Sequence, residues 1–567
     1  MSWGKRRAII ILVVIVFFGL IIWIAVRPRH LASRSVLVID AEGSIQEQRT
    51  PNILDALTGG QAPVLHEYLD AIDAAATDSR ITGIVVRIGP LSTGWAKLEE
   101  IRAHLLAFQS SGKPSICYLG YDGVGNPEYY LATACRQIWL VPSNPVDISG
   151  MMAEATFLRG TLDKLKIVPQ FFHIAEYKTA SNQLTEKKFT PAHREEVQSL
   201  LTDVFNRYVA ESAQARHMPP AAFESILKSG PLLTGDAVRD RIVDRLGYWD
   251  QLEDYFRERS REWNPVSLAR YSTLVHLNSS GQTIAIVHAS GLIASGSSEN
   301  SPTGGLVMGG DSVASEIRAL RDDSDVKAII LRIDSGGGSV VASEVIRREV
   351  QLARARKPVV VSMSDLAASG GYWIAAPATR IVADPDTETG SIGVLVGKLN
   401  IAGLYNLLGA STDYVATSDN ATLFSDQQNF TPAQQAFIQR SLNDVYAQFT
   451  QGVAAGRHMS VAAVDKIAKG RVWTGAQAQR LGLVDDLGGI DRAIQVAKEL
   501  AHIPAASGVS VVRYPREKSL FEQIFERQEN PMSESRADSL AGLVHRLALD
   551  EISQPVQARM PYQLRIR

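Results

Sequence analysis

Cysteine is scarce. The 567 residues contain only Cys117 and Cys135, with no C-x-x-C and no Cys/His cluster at zinc spacing, which excludes a disulfide-framework scaffold and a zinc module. The pair reads as two small buried hydrophobes, with a single disulfide as the alternative. Charge of one sign is also missing. Lys and Arg number 58 against 60 Asp and Glu, so there is no broad basic surface of the kind nucleic acid demands. No Walker P-loop is present, and no G-x-G-x-x-G marks a dinucleotide site. Neither a metal nor a cofactor is expected. After residue 26 no second run of 18 apolar residues occurs, so one membrane span is the most the chain carries.

What is present begins with that span. Ala8 to Val26 is 19 apolar residues without a charge. As a helix it would reach about 28 Å, close to the hydrocarbon thickness. Arg27, Pro28 and Arg29 follow directly, where a cleaved leader would place a small-x-small site. An uncleaved anchor is expected. Lys5, Arg6 and Arg7 are balanced by Arg27, Arg29 and Arg34, so flanking charge does not choose an orientation.

The remainder repeats itself. Arg87-Ile88 matches Arg332-Ile333, Phe189-Thr190-Pro191 matches Phe430-Thr431-Pro432, and Arg216-His217-Met218 matches Arg457-His458-Met459. Val243-Asp244-Arg245-Leu246-Gly247 likewise matches Val484-Asp485-Asp486-Leu487-Gly488, all at offsets of 240 to 245. The chain is a tandem duplication. Its expected organisation is a stub and anchor over 1–34, a first domain over 35–260, a linker over 261–282, a second domain over 283–500 and an extension over 501–567. In the second copy Thr283–His288 reads as a short β-rich run and Val326–Ile333 and Val359–Met363 as apolar strands, alternating with helical stretches. One such helix is expected to be capped by Ser312 and another to run from about Ala342 to Arg356. Strands of this kind imply parallel βαβ units covered on both faces, hence two α/β domains. After 500, Val509–Val512 reads as a strand and Glu517–Arg527 as a charged helix.

Two strand-to-helix junctions of the second copy carry the chemistry. Ser369 lies in Asp365-Leu366-Ala367-Ala368-Ser369-Gly370-Gly371-Tyr372-Trp373, at a strand end and a helix start, where backbone N–H groups favour negative charge. A plain helix cap is the bland alternative. The lipase elbow G-x-S-x-G is absent there, because Ala367 holds its first position. The second junction, Ser335-Gly336-Gly337-Gly338-Ser339, allows close backbone approach and can present N–H groups as an oxyanion hole.

These segments, with Thr389-Gly390-Ser391-Ile392-Gly393 and, from the first half, Glu176-Tyr177-Lys178-Thr179-Ala180, resemble the signature of the signal peptide peptidase A (protease IV) family in its long duplicated form. The glycine motif departs from the family's Ser-Pro-Gly-Gly by Gly336 in place of Pro. The resemblance implies two tandem ClpP/crotonase-like domains and a Ser–Lys serine endopeptidase that degrades signal peptides and other hydrophobic or unfolded peptides without ATP. It also implies a homotetramer held in the cytoplasmic (inner) membrane by the N-terminal helix, with its catalytic domains on the periplasmic side. Residue by residue, it implies Ser369 as nucleophile, Lys178 as general base, Ser391 as the residue orienting that base, and Gly338, Gly337 and Gly370 as oxyanion donors. A lysine amine must be neutral to act as base, so Lys178 has to be buried; Lys164, Lys166, Lys187 and Lys188 read as solvated charges.

A Ser-His-Asp triad through His173 is the rival mechanism. His217 and His458 occupy equivalent places in both copies, which suits packing or capping better than a single catalytic centre. A crotonase-type acyl-CoA enzyme and a non-catalytic membrane scaffold are the rival functions. The duplication sets Asn126 opposite Ser369 and Asp419 opposite Lys178. One active site per chain, assembled from both halves, is therefore expected.

Overall fold

A computed structural model describes residues 31–49, 62–275, 281–301, 305–516 and 557–559. The expected anchor over 8–26 and the expected helix over 517–527 lie outside them. Among the described residues no helix is long and apolar enough to cross a membrane.

In the first half, strands β1 (Ser35–Gly43), β2 (Ile81–Leu91), β3 (Ser115–Leu119) and β4 (Gln137–Leu140) alternate with helices. They are followed by β5 (Val168–His173), β6 (Arg245–Leu246) and β7 (Asn264–Ser267). Six of the seven form one sheet in the order β6-β4-β3-β2-β1-β7, with every pairing parallel. Helices Leu65–Thr77 and Trp95–Phe108 cover it, and Leu37, Ile39, Ile84, Val86, Ile101 and Leu105 fill the space between. This is why Ile84–Val86 of β2 and Ile116–Leu119 of β3 are apolar without alternation: both faces are dry there.

The second half repeats the plan. It holds β8 (Gln282–Ser290), β9 (Leu292–Ala294), β10 (Glu299–Ser301), β11 (Gly305–Gly309), β12 (Val326–Ser335), β13 (Gly337–Ser339) and β14 (Val359–Ala368). Then come β15 (Arg380–Ala383), β16 (Glu388–Gly390), β17 (Leu395–Asn400), β18 (Val472–Thr474), β19 (Asp486–Leu487), β20 (Val509–Tyr514) and β21 (Gln557–Arg559). The parallel run β19-β15-β14-β12-β8-β20 reproduces the first sheet strand for strand, with β16 and β18 branching from the end of β14.

Several sequence expectations shift by two or three residues. The helix expected from Ser312 is Gly310–Asp322, and Ser312 Oγ instead accepts from Ser298 N at 2.9 Å. Helix Val340–Arg354 is capped by Ser339, whose Oγ accepts from Ala342 N at 3.3 Å. The cysteines are bonded to each other, Cys117 on β3 to Cys135 beyond helix Asn126–Ala132, so the reading as two free buried hydrophobes is corrected. Both sulfurs are buried, as a hydrophobe would be, and burial alone does not separate the two readings.

Two features tie the halves together and bring the site into being. First, β5 leaves its own half and pairs antiparallel with β17 over six residues, in a separate mixed sheet of order β10-β11-β9-β13-β21-β17-β5. Second, the helix Pro191–Ala215 lies across the edge of the second sheet. The Phe189-Thr190-Pro191 motif starts it: Thr190 Oγ1 accepts from His193 N, and proline takes the first position, where its missing N–H costs nothing. From this helix Leu200 packs on Ala368 and Val472, Asp203 accepts from Thr474 Oγ1 at 2.6 Å, and Arg207 donates to Asp386 at 2.8 Å. The duplicated histidines fall at helix ends with left-handed backbone, His217 at φ 54° and His458 at φ 55°.

Candidate active site

Ser369 sits between β14 and helix Gly370–Ala375 with φ 57° and ψ −113°. Such a backbone is sparsely populated for a residue with a side chain and costs on the order of 1–3 kcal/mol. The surroundings hold it there: Ser369 N donates to Gly390 O at 2.8 Å, and Trp373 N donates back to Ser369 O at 2.8 Å. The hydroxyl makes no cap bond to the helix it precedes, so the plain cap reading fails. Ser369 Oγ instead lies 2.7 Å from Lys178 Nζ. The strained strand-to-helix turn is an elbow in geometry although G-x-S-x-G is absent in sequence.

Lys178 is fully buried and reaches the serine from the other half of the same chain. Its Nζ is also 3.0 Å from Ser391 O and 3.0 Å from Ser391 Oγ. The side chain runs through a slot walled by Gly393 and Gly470: a Cβ at either would stand 3.2 Å from Lys178 Cδ or 2.7 Å from Lys178 Cβ. Burial drives the amine well below the ordinary lysine value, and the negative Glu196 nearby works in the opposite direction. Ser391, at φ 48°, is held by its own N–H, which donates to Arg471 O at 2.7 Å. Beside the lysine, Tyr177 O–H donates to Glu195 Oε2 at 2.9 Å, and Arg471 donates to Glu195 Oε1 at 2.8 Å.

The glycine junction lies against this centre. Gly371 presses on it so closely that a Cβ there would meet Ser335 O at 2.7 Å. Gly338 has φ 153°, and a Cβ would meet Ile293 O at 2.1 Å, so only glycine lets β13 lie beside β9. Gly337 N donates to Ser335 Oγ at 3.2 Å and is engaged within its own turn. Gly370 opens the helix after Ser369, where N–H groups have no intrahelical acceptor.

The remaining sequence candidates fall elsewhere. His173 is exposed on β5, its Nδ1 2.7 Å from Ala175 O, and it does not bond Ser369. Asn126 opens helix Asn126–Ala132, the counterpart of the helix after Ser369, and donates from Nδ2 to Gly150 O at 2.7 Å. Asp419 is exposed in a 3-10 turn. Glu196, Gly470 and Arg471 are functional candidates that sequence reasoning missed. They meet Lys178 or Ser391 only through the fold, and no local motif marks them.

The family model described as "Peptidase family S49" matches the chain twice, over residues 107–261 and 351–504. The chain is 32% identical over 537 residues to a chloroplastic serine protease SPPA of Arabidopsis thaliana, covering 93% of this chain and 77% of that protein. It is 34% identical over 519 residues to Protease 4 of Salmonella typhi, covering 86% and 82%. Among solved structures, a ClpP1 mutant from Listeria monocytogenes aligns with 37% of this chain and 91% of its own, at 15% identity and a TM-score of 0.23.

Proposed function

The chain belongs to peptidase family S49 as a tandem pair of its domains, and we propose that in this serine peptidase of signal peptides Ser369 is the nucleophile and Lys178 the general base. The single observation that carries this is the 2.7 Å contact between Lys178 Nζ and Ser369 Oγ inside a fully buried pocket. A neutral amine has two N–H groups and one lone pair. Ser391 O and Oγ take the two N–H groups, and the lone pair is left for the Ser369 O–H.

In the reaction, Ser369 Oγ attacks the scissile carbonyl carbon while its proton passes to Lys178 Nζ. The negative charge that forms on the substrate oxygen is met by backbone N–H groups, for which Gly338 and Gly370 are the candidates. The ammonium returns its proton to the leaving amine as the C–N bond breaks, leaving an acyl ester on Ser369. Water then attacks the ester with Lys178 again as base, and the serine is restored. Burial makes this workable at moderate pH, because an exposed lysine would hold its proton.

The repeated parallel sheets are read as ClpP/crotonase-like, and the chain as a homotetramer anchored in the cytoplasmic membrane by residues 8–26 with its catalytic domains in the periplasm. The Cys117–Cys135 bond supports an oxidising compartment. Exposed Leu407, Leu408, Tyr414 and Val415, clustered after β17, support self-association. The test of the function is hydrolysis of an unfolded model protein and of signal peptides by the wild type beside Ser369→Ala. A folded Ser369→Ala protein retaining more than about a tenth of wild-type activity is incompatible with Ser369 as nucleophile.

A further inference from the structure

Glu196 is a fully buried carboxylate beside the lysine that the chemistry above does not use. It lies in the second turn of the helix Pro191–Ala215, in the half that brings Lys178, yet it grips the half that brings Ser369. Its Oε2 accepts from Val472 N at 3.0 Å. Val472 begins β18 and pairs with Gly390 of β16, whose carbonyl accepts from Ser369 N. The residue before it, Arg471, offers the carbonyl that takes Ser391 N–H. One carboxylate thus fixes the short strand on which both Ser391 and Ser369 lean.

The duplication gives an independent observation. At the offset of 241 set by the two Phe-Thr-Pro motifs, position 196 corresponds to Phe437, which is 52% exposed on helix Pro432–Arg457. The buried acid therefore occurs in the copy that supplies the base, as Lys178 does, and its counterpart at position 437 carries no acid.

We propose that Glu196 is a positioning residue for the Lys178 amine, holding the β18 backbone that seats Ser391 and setting a negative charge near the lysine. This rests on the reading of Lys178 as the base. The charge acts against burial, so it restrains how far the amine is driven toward its neutral form. Other ionisable groups face Glu196. Glu388 on β16 is pushed up to about 8 by burial first, and then by Glu196 and Asp365. Glu195, Tyr177 and Arg471 form the ion cluster on the outer side of the same helix turn.

The experiment measures kcat and kcat/KM against pH on the full chain for the wild type, Glu196→Gln, Glu196→Ala, Glu388→Gln and Lys178→Ala. Glutamine keeps an acceptor for Val472 N–H and removes the charge. Its ascending limb is expected to move to lower pH by on the order of one pH unit, with a plateau within about threefold of wild type. Alanine removes both parts, and its plateau kcat is expected to fall about tenfold as well. If Glu196→Ala does not fold, the near-isosteric glutamine variant still decides. A Glu196→Gln limb that superimposes on wild type overturns the proposal, as does a limb that vanishes in Glu388→Gln, which would belong to that carboxyl. An active Lys178→Ala would instead overturn the base assignment itself, so the two failures are told apart.

Discussion

Gly470 and Lys178 touch along their backbones. A β-carbon at position 470 would stand 2.5 Å from Lys178 N and 2.7 Å from its Cα, and Gly470 has φ 81°. The lysine's reach to Ser369 is therefore set by a glycine 292 residues away in sequence, in the half that does not carry it.

Gly470→Ala is expected to displace the lysine segment and lower kcat by about 100-fold or more, since ångström-scale misplacement of a reacting group has that effect. The melting temperature should fall as well, through the left-handed backbone. Steady-state kinetics and thermal unfolding of the same preparation check this, and unchanged kcat would mean that the slot is not restrictive.

Lys178→Met should abolish activity and flatten the dependence of stability on pH. The folded-state value of Lys178 lies well below its unfolded value, so between the two the unfolded chain binds more protons. Through this residue, wild-type stability rises with pH in that window and falls as pH drops through it. Denaturant unfolding at several pH values should show the slope in the wild type and a smaller one in Lys178→Met.

The halves are held by a buried ion cluster whose loss should be costly. Arg332, 1% exposed on β12, donates to Glu47 at 2.7 Å and also pairs with Glu100, both from the first half. Arg332→Met leaves two carboxylates buried without their cation, and a loss of about 3–5 kcal/mol is expected. Burial alone would raise the Glu47 carboxyl, but Arg332 outweighs it and holds that carboxyl well below the ordinary range. Its contribution is therefore present above about pH 4.5 and lost as pH falls below that. Urea titrations at pH 7 and pH 4 should show the deficit of Arg332→Met shrinking at the lower pH.

Much of this arrangement is legible in the sequence. The largely apolar runs at Thr283–His288, Val326–Ile333 and Val359–Met363 became β8, β12 and β14, because a strand covered on both faces is built mainly of apolar residues, with Arg332 the buried exception on β12. The duplicated Arg-Ile pair shows the limit. Arg87 is partly exposed and bonds Asp40, whereas Arg332 is buried between the halves, and nothing local separates them. Ser369 stands out by its strand-to-helix junction, whereas Ser391 and Lys178 are marked by resemblance to family segments alone, since the flanks of Lys178 do not show that it is buried. The helix Gly310–Asp322 is capped at Gly309, three residues before Ser312, which looks like a cap but serves a neighbouring turn. β5 was not legible: Val168-Pro169-Gln170-Phe171-Phe172-His173 has no strict alternation, and its partner β17 lies in the other half.

The vestigial positions should be dispensable. Asn126 is occupied with Gly150 O and Asp419 is exposed, so Asn126→Ala and Asp419→Ala should each keep most of the wild-type activity in a peptide-hydrolysis assay. A folded but inactive Asn126→Ala would imply a second working centre in the first half.

The proposed centre is one per chain, built from Ser369 of one half and Lys178 of the other. Intact-mass analysis after saturation with a serine-directed phosphonate tests it most directly, with the modified peptide located by fragmentation and the labelling rate compared in Lys178→Ala. The expected result is a single adduct per chain, on Ser369, formed far more slowly when Lys178 is absent. Two adducts per chain, an adduct on another residue, or an unchanged rate in Lys178→Ala would contradict it.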